Sequence, residues 1–96
     1  MREDVPVTAT SQPRPRERVL VEQIEDETVL LDLDSGLYFA LNEVGARVWE
    51  LCDGERNVDD IVETITGEFD APEATVRADV VELLAHLARE GLLAPQ

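Results

Sequence analysis

Hydrophobic positions change their spacing near residue 42, from short alternating runs to a helical period. Three short apolar runs precede that point, at residues 19–24, 28–33 and 37–41. Polar turns at residues 25–27 and 34–36 separate them. Because these connections are too short for crossover helices, the three strands are expected to form an antiparallel meander.

Helical spacing over the rest of the chain predicts three helices. Asn42 and Asn57 are expected to cap the first and second helices, Gly67 to fray or end the second, and Gly91 to end the third. Three strands followed by three helices define an α+β fold.

The third helix has more apolar positions than one packed face needs. They are Val76, Val80, Val81, Leu83, Leu84, Leu87 and Ala88. A helix with such a wide apolar face has either two packing partners or one partner and a groove, and the sequence leaves both open.

Length and charge indicate one small acidic domain. The chain has 96 residues, a formal net charge of −14 and no lysine. Residues 1–17 contain three prolines and no apolar period, which predicts a flexible tail, with the domain at 18–96. Such acidity repels phosphate backbones, so nucleic-acid binding is disfavoured and a cationic partner is favoured.

No residue set for catalysis, metal binding or a cofactor is present. Cys52 and His86 are the only residues of their types and lie on different predicted helices. Metal-ligand spacing and a glycine-rich phosphate loop are also missing, so the chain is not expected to be an enzyme. With no long apolar run and no export signal, a cytoplasmic protein without a membrane segment is expected.

Two other classes of small protein deserve comparison. Acidic carrier proteins bear their prosthetic arm on a serine after an aspartate, as in Asp34-Ser35, but that serine opens a long helix and here Gly36 and a strand-like run follow. A winged-helix DNA-binding regulator also combines strands with three helices, but the acidity of the domain argues against it.

Residues 18–93 resemble the PqqD-like family, the recognition elements for precursors of ribosomally made, post-translationally modified peptides (RiPPs). The matching positions are Leu31-Asp32, Ser35-Gly36, Tyr38-Phe39, Leu41-Asn42, Gly45, Trp49, Asp53-Gly54, residues 58–69, Asp79-Val80, Leu83-Leu84, Leu87 and Gly91-Leu92. Within the family, the turn from Asp32 to Tyr38 is similar to that of the free-standing chaperones of lasso-peptide pathways.

The resemblance implies a winged-helix-like fold with a three-stranded antiparallel sheet and three helices. It implies binding of the leader segment of a precursor peptide, added as a strand to the edge of the third strand against the third helix. The implied partner is a leader-cleaving peptidase on a separate chain. Another RiPP class, or a PQQ-type pathway with a radical-SAM partner, is the alternative.

This resemblance, with the apolar edge strand and the wide helix, predicts the site residues. The strand edge is expected at Leu37, Tyr38, Phe39, Ala40 and Leu41, and the opposite wall at Val76, Val80, Val81 and Leu84, with Arg77 placed to meet a leader carboxylate. Trp49 and Phe39 are expected to be core anchors. Exposed edge strands invite self-pairing, so a homodimer or a strand swap is an expected alternative state.

Overall fold

A three-stranded antiparallel sheet forms one layer of the domain. The computed structural model describes residues 7–94. Its strands β1 (Val19–Ile24), β2 (Glu27–Asp32) and β3 (Tyr38–Leu41) pair in chain order, with β2 in the centre. Val19 lies opposite Asp32, and Thr28 lies opposite Leu41.

Three helices follow: α1 (Glu43–Leu51), α2 (Val58–Phe69) and α3 (Glu73–Arg89). The predicted α+β order of three strands and then three helices is therefore confirmed. Asn42 caps α1 by accepting a hydrogen bond from the backbone N–H of Gly45, and Asn57 caps α2 in a capping box with Asp60.

Gly67 does not end α2, contrary to expectation. The helix continues to Phe69 and stops at Asp70, which adopts the left-handed conformation with φ 50°. A single glycine inside a helix costs about 1 kcal/mol relative to alanine, and the buried face of α2 outweighs that cost. That face consists of Val58, Ile61, Val62 and Ile65.

The core lies between one face of the sheet and the helices. Leu30, Phe39 and Leu41 point from the sheet towards the helices, where Phe39 is half-buried and the two leucines are buried. Trp49 in α1 is buried, as expected of a core anchor, and α2 and α3 pack on each other. The opposite face of the sheet leaves Leu20 and Tyr38 exposed to solvent.

Residues 9–16, expected to belong to a flexible tail, form an N-terminal strap that is hydrogen-bonded to the helical layer. The carbonyls of Ala9 and Ser11 accept from the first two amides of α2, at 3.2 and 3.0 Å. Pro13 is buried, and Arg14 and Arg16 pair with the backbone of residues 92–94. Contacts with the domain thus begin before Arg18; residues 1–6 of the expected tail lie outside the described residues.

Within the described part of the chain, no helix is both long and apolar enough to cross a membrane.

Candidate functional site

An apolar groove separates β3 from α3. No Cα atom of β3 lies within 8 Å of a Cα atom of α3, and the gap between them holds a cavity of about 490 Å³. Most of its lining is aliphatic or aromatic: Phe39, Leu41, Val44, Val48, Ile65, Phe69, Ala71, Val76, Val80 and Leu83. A cavity of this volume can hold one or two large apolar side chains.

One stripe of α3 makes the far wall of the groove. Val76 and Val80, four residues apart, are buried at its base. Thr75 and Asp79 are exposed at the rim, and Leu83 is half-buried there. The wide apolar face of α3 therefore has one packing partner and one groove. Leu84 and Leu87 pack into the core, while the stripe with Val76 and Val80 faces the groove.

The near wall is β3, a sheet edge whose outer side is unpaired among residues 7–94. The backbone N–H of Asp32 donates to the carbonyl of Leu37 at 2.9 Å, so Leu37, and by alternation Phe39 and Leu41, bond inward to β2. The N–H and C=O groups of Tyr38 and Ala40 must then point outward, alongside the groove. A peptide laid there can complete the ladder.

A turn with fixed geometry leads the chain into β3. The Asp32 carboxylate accepts the backbone N–H of Asp34 and the hydroxyl of Ser35, both at 3.0 Å. Gly36, with φ 76°, supplies the left-handed residue that the turn needs. The Asp34 N–H is the main reason that the pKa of Asp32 lies below its ordinary value. Ser35 therefore sits in a turn and not at the start of a helix.

An aromatic contact that the sequence did not predict joins β3 to α3. The rings of Phe39 and His86 meet edge to face, with centroids 4.9 Å apart. His86 is exposed in α3, three residues beyond Leu83, and does not line the cavity. The spacing from Leu83 is the one sequence signal for this contact, whereas a histidine on the polar side of a helix is by itself expected to be a solvated surface residue.

Five of the predicted site residues line the groove: Phe39, Ala40, Leu41, Val76 and Val80. Leu84 is fully buried in the core, and Val81 is half-buried outside the lining. Leu37 and Tyr38 are exposed beside the groove without lining it; Tyr38 is 75% exposed.

Arg77 is held away from the groove. Its guanidinium contacts Asp59 of α2 at 2.8 Å and Glu73 at 3.2 Å. The hydrogen bond that Arg77 donates to the carboxylate of Asp59 is the main cause that raises the pKa of Arg77. The expected position at the groove rim is thus not observed, because α2 supplies a carboxylate on the other side of the helix.

Neither the one cysteine nor the one histidine of the chain lines the groove. Cys52 is buried, donates its thiol to the carbonyl of Val48 at 3.2 Å, and has its pKa raised to about 12 by desolvation. A thiol in that state is a poor nucleophile. No group of three potential metal ligands occurs in residues 7–94. The arrangement can bind an extended apolar segment.

Comparison with known families covers both the sheet and the helices. The family described as Coenzyme PQQ synthesis protein D (PqqD) matches residues 27–93. The chain belongs to the PqqD family. That stretch contains β2, β3, all three helices and every residue that lines the groove.

Two relatives of this PqqD family member are named for, or were solved with, a binding partner. A PqqA binding protein of Xanthomonas oryzae pv. oryzae (strain KACC10331 / KXO85) is 35% identical, over 91% of this chain and 95% of its own. TbiB1, solved in complex with the TbiA(beta) leader peptide, is 35% identical with a TM-score of 0.76, over 86% of this chain and 96% of its own.

A third relative is a solved structure of a PqqD domain. The PqqD truncation of Methylobacterium extorquens PqqCD, solved by NMR as a stand-alone RiPP recognition element, is 27% identical with a TM-score of 0.79. The match covers 93% of this chain and 95% of that one. The chain is thus similar to these recognition elements in both sequence and fold.

Proposed function

We propose that this protein binds the leader segment of a ribosomally made precursor peptide as a fourth strand of its sheet. The observation that carries the proposal is the juxtaposition of a free strand edge with an apolar groove. Tyr38 and Ala40 direct their backbone groups outward, and Val76 and Val80 lie across the gap. The backbone bonds supply affinity, each about 0.5–1.5 kcal/mol net, and the cavity supplies specificity for side chains.

The similarity to leader-binding proteins supports this assignment. TbiB1 was solved with a leader peptide, and the Xanthomonas relative is named for binding PqqA. By analogy the protein is a recognition element and not an enzyme, and its role is to present the peptide to other proteins.

The finer proposal is a role in lasso-peptide biosynthesis in the cytoplasm, with delivery to a leader-cleaving peptidase on a separate chain. The turn from Asp32 to Tyr38 and the 35% identity to TbiB1 favour it. A PQQ-type pathway with a radical-SAM partner is the second candidate, favoured by the relatives that bind PqqA. The same free edge allows two copies to pair through β3, so the homodimer is a state that bound peptide would displace.

The backbone at Ala40 offers a direct test of strand addition. Peptides from a displayed library of random 15-residue sequences are selected on the protein, and their affinity is measured by fluorescence polarisation. Proline at position 40 removes the outward N–H without touching a bond to β2, so Ala40→Pro is expected to weaken binding at least about tenfold.

Ala40→Val is the matched control, because valine adds bulk at the same exposed position and keeps the N–H. It should bind the selected peptides within about twofold of the wild type, since β-branched residues suit a strand. Equal affinity of the proline and valine variants would exclude strand addition at β3. Failure of the library to yield any bound peptide would overturn the proposed function itself.

A further inference from the structure

Among residues 7–94, the polar side chains in the lining of the groove belong to three residues. Asn42 is already used, since its Oδ1 accepts the N–H of Gly45 at 2.8 Å. Thr75 and Asp79 remain, one turn apart on the exposed rim of α3. Asp79 therefore contributes the single formal charge in the lining, and it is negative.

Asp79 has no counter-ion among residues 7–94. The arginine closest to it in sequence, Arg77, is held by Asp59 and Glu73 on the other side of α3. No arginine or histidine lines the cavity within the described residues. The carboxylate of Asp79 is thus available to a cation that arrives with the ligand.

An extended peptide on β3 would place its side chains in a defined order. Alternate residues of a strand face the same side, so residues two apart would both point into the groove, at most about 7 Å from each other. The side chain opposite Phe39 would enter the apolar cavity. Its neighbour two residues along would reach the rim of α3, where Asp79 lies.

We propose that Asp79 selects a lysine or arginine in the bound peptide, two residues from the large apolar side chain that fills the cavity. The ligand class is then an extended peptide with an apolar anchor and a basic residue at that spacing. This inference rests on the proposed function, because it requires a peptide at β3. It reverses the charge expected at the rim, where Arg77 was predicted to meet a carboxylate.

The overall charge of the protein also favours a basic peptide, but it does not determine where along the peptide the basic residue lies. The chain carries a net charge of −14 and no lysine, so any cationic peptide is attracted from a distance. A diffuse field would not depend on which carboxylate is removed. Glu82 supplies the matched control, since it is exposed on the same helix, three residues from Asp79, and does not line the cavity.

The experiment uses the full chain and the same library of random 15-residue peptides, selected in parallel on the wild type, Asp79→Asn and Glu82→Gln. Selection on the wild type and on Glu82→Gln should enrich a basic residue two positions from an apolar anchor. Selection on Asp79→Asn should keep the anchor and lose the basic residue.

A double-mutant cycle then measures the coupling energy between Asp79 and the basic residue of the peptide. For an enriched peptide, Asp79→Asn and replacement of the basic residue by methionine should each weaken binding by about three- to fivefold, as expected for an exposed ion pair, without adding when combined. Glu82→Gln should weaken binding clearly less than Asp79→Asn does, because Glu82 does not line the cavity and its charge is screened by solvent.

The outcomes separate this inference from the function on which it rests. Apolar anchors without a basic position, or equal losses for Asp79→Asn and Glu82→Gln, would overturn the role of Asp79 and leave peptide binding intact. An additive cycle would also overturn it. A library that yields no bound peptide would overturn the proposed function, and the inference with it.

Discussion

Leu83 and Leu84 are neighbours in α3 with different surroundings. Leu83 is half-buried at the groove rim, whereas Leu84 is fully buried in the core. Leu83→Ala is therefore expected to weaken binding of a selected peptide by about five- to tenfold while changing the stability by less than about 1 kcal/mol. Leu84→Ala should cost about 2–5 kcal/mol of unfolding free energy. Fluorescence polarisation and urea denaturation measure the two effects, and equal stability losses would contradict the assignment of Leu83 to the rim.

The side of a helix on which a single residue lies is harder to predict than the helix itself. Val76 and Val80 both line the groove, and an apolar pair four residues apart on a helix already predicts a shared face. Arg77 was placed at the rim, but its orientation depends on Asp59, a residue of another helix. The ring contact between His86 and Phe39 was not predictable, because it joins two elements far apart in sequence.

At the scale of the element, the β2–β3 turn should respond to pH through Asp32. Its carboxylate accepts two hydrogen bonds, so the folded state favours the charged form and the pKa of Asp32 is lowered. Its contribution to stability is complete above the unfolded pKa of about 4 and is lost as pH falls through the lower folded pKa. The difference in unfolding free energy between the wild type and Asp32→Asn should thus shrink below about pH 4.

Urea denaturation between about pH 3 and pH 7 measures this difference, and Asp26→Asn is the matched variant. Asp26 is exposed in the β1–β2 turn and makes no such hydrogen bonds among the described residues. If the Asp26→Asn difference shrinks equally, the effect belongs to net charge and not to the turn.

Most elements were predictable because local signals specified them. Asn42 and Asn57 cap helices as expected, since a cap needs only its own side chain and the next turn. The prediction that Gly67 frays or ends α2 was wrong. Glycine has a low helix propensity, but tertiary packing keeps the helix intact as far as Phe69. The groove itself was one of two alternatives, because the sequence shows a wide apolar face but not the distance to the strand that it faces.

At the scale of the whole molecule, the N-terminal strap joins parts of the chain that are distant in sequence. It accepts the first two amides of α2 through Ala9 and Ser11, and the third amide is accepted by Asn57. The open N-terminus of α2 is thereby almost fully satisfied. The strap could not be predicted from the sequence, because its bonds use backbone groups that any residue offers.

Deletion of residues 1–16 is therefore expected to lower the free energy of unfolding by about 2–5 kcal/mol, because five backbone hydrogen bonds and the burial of Pro13 are lost together. Deletion of residues 1–6 is the matched control and removes none of these contacts. Urea denaturation compares the three chains, and a flexible tail would predict no difference among them. Because the strap contacts α2 and residues 92–94 and not the groove, the shorter chain should still bind peptide wherever it remains folded.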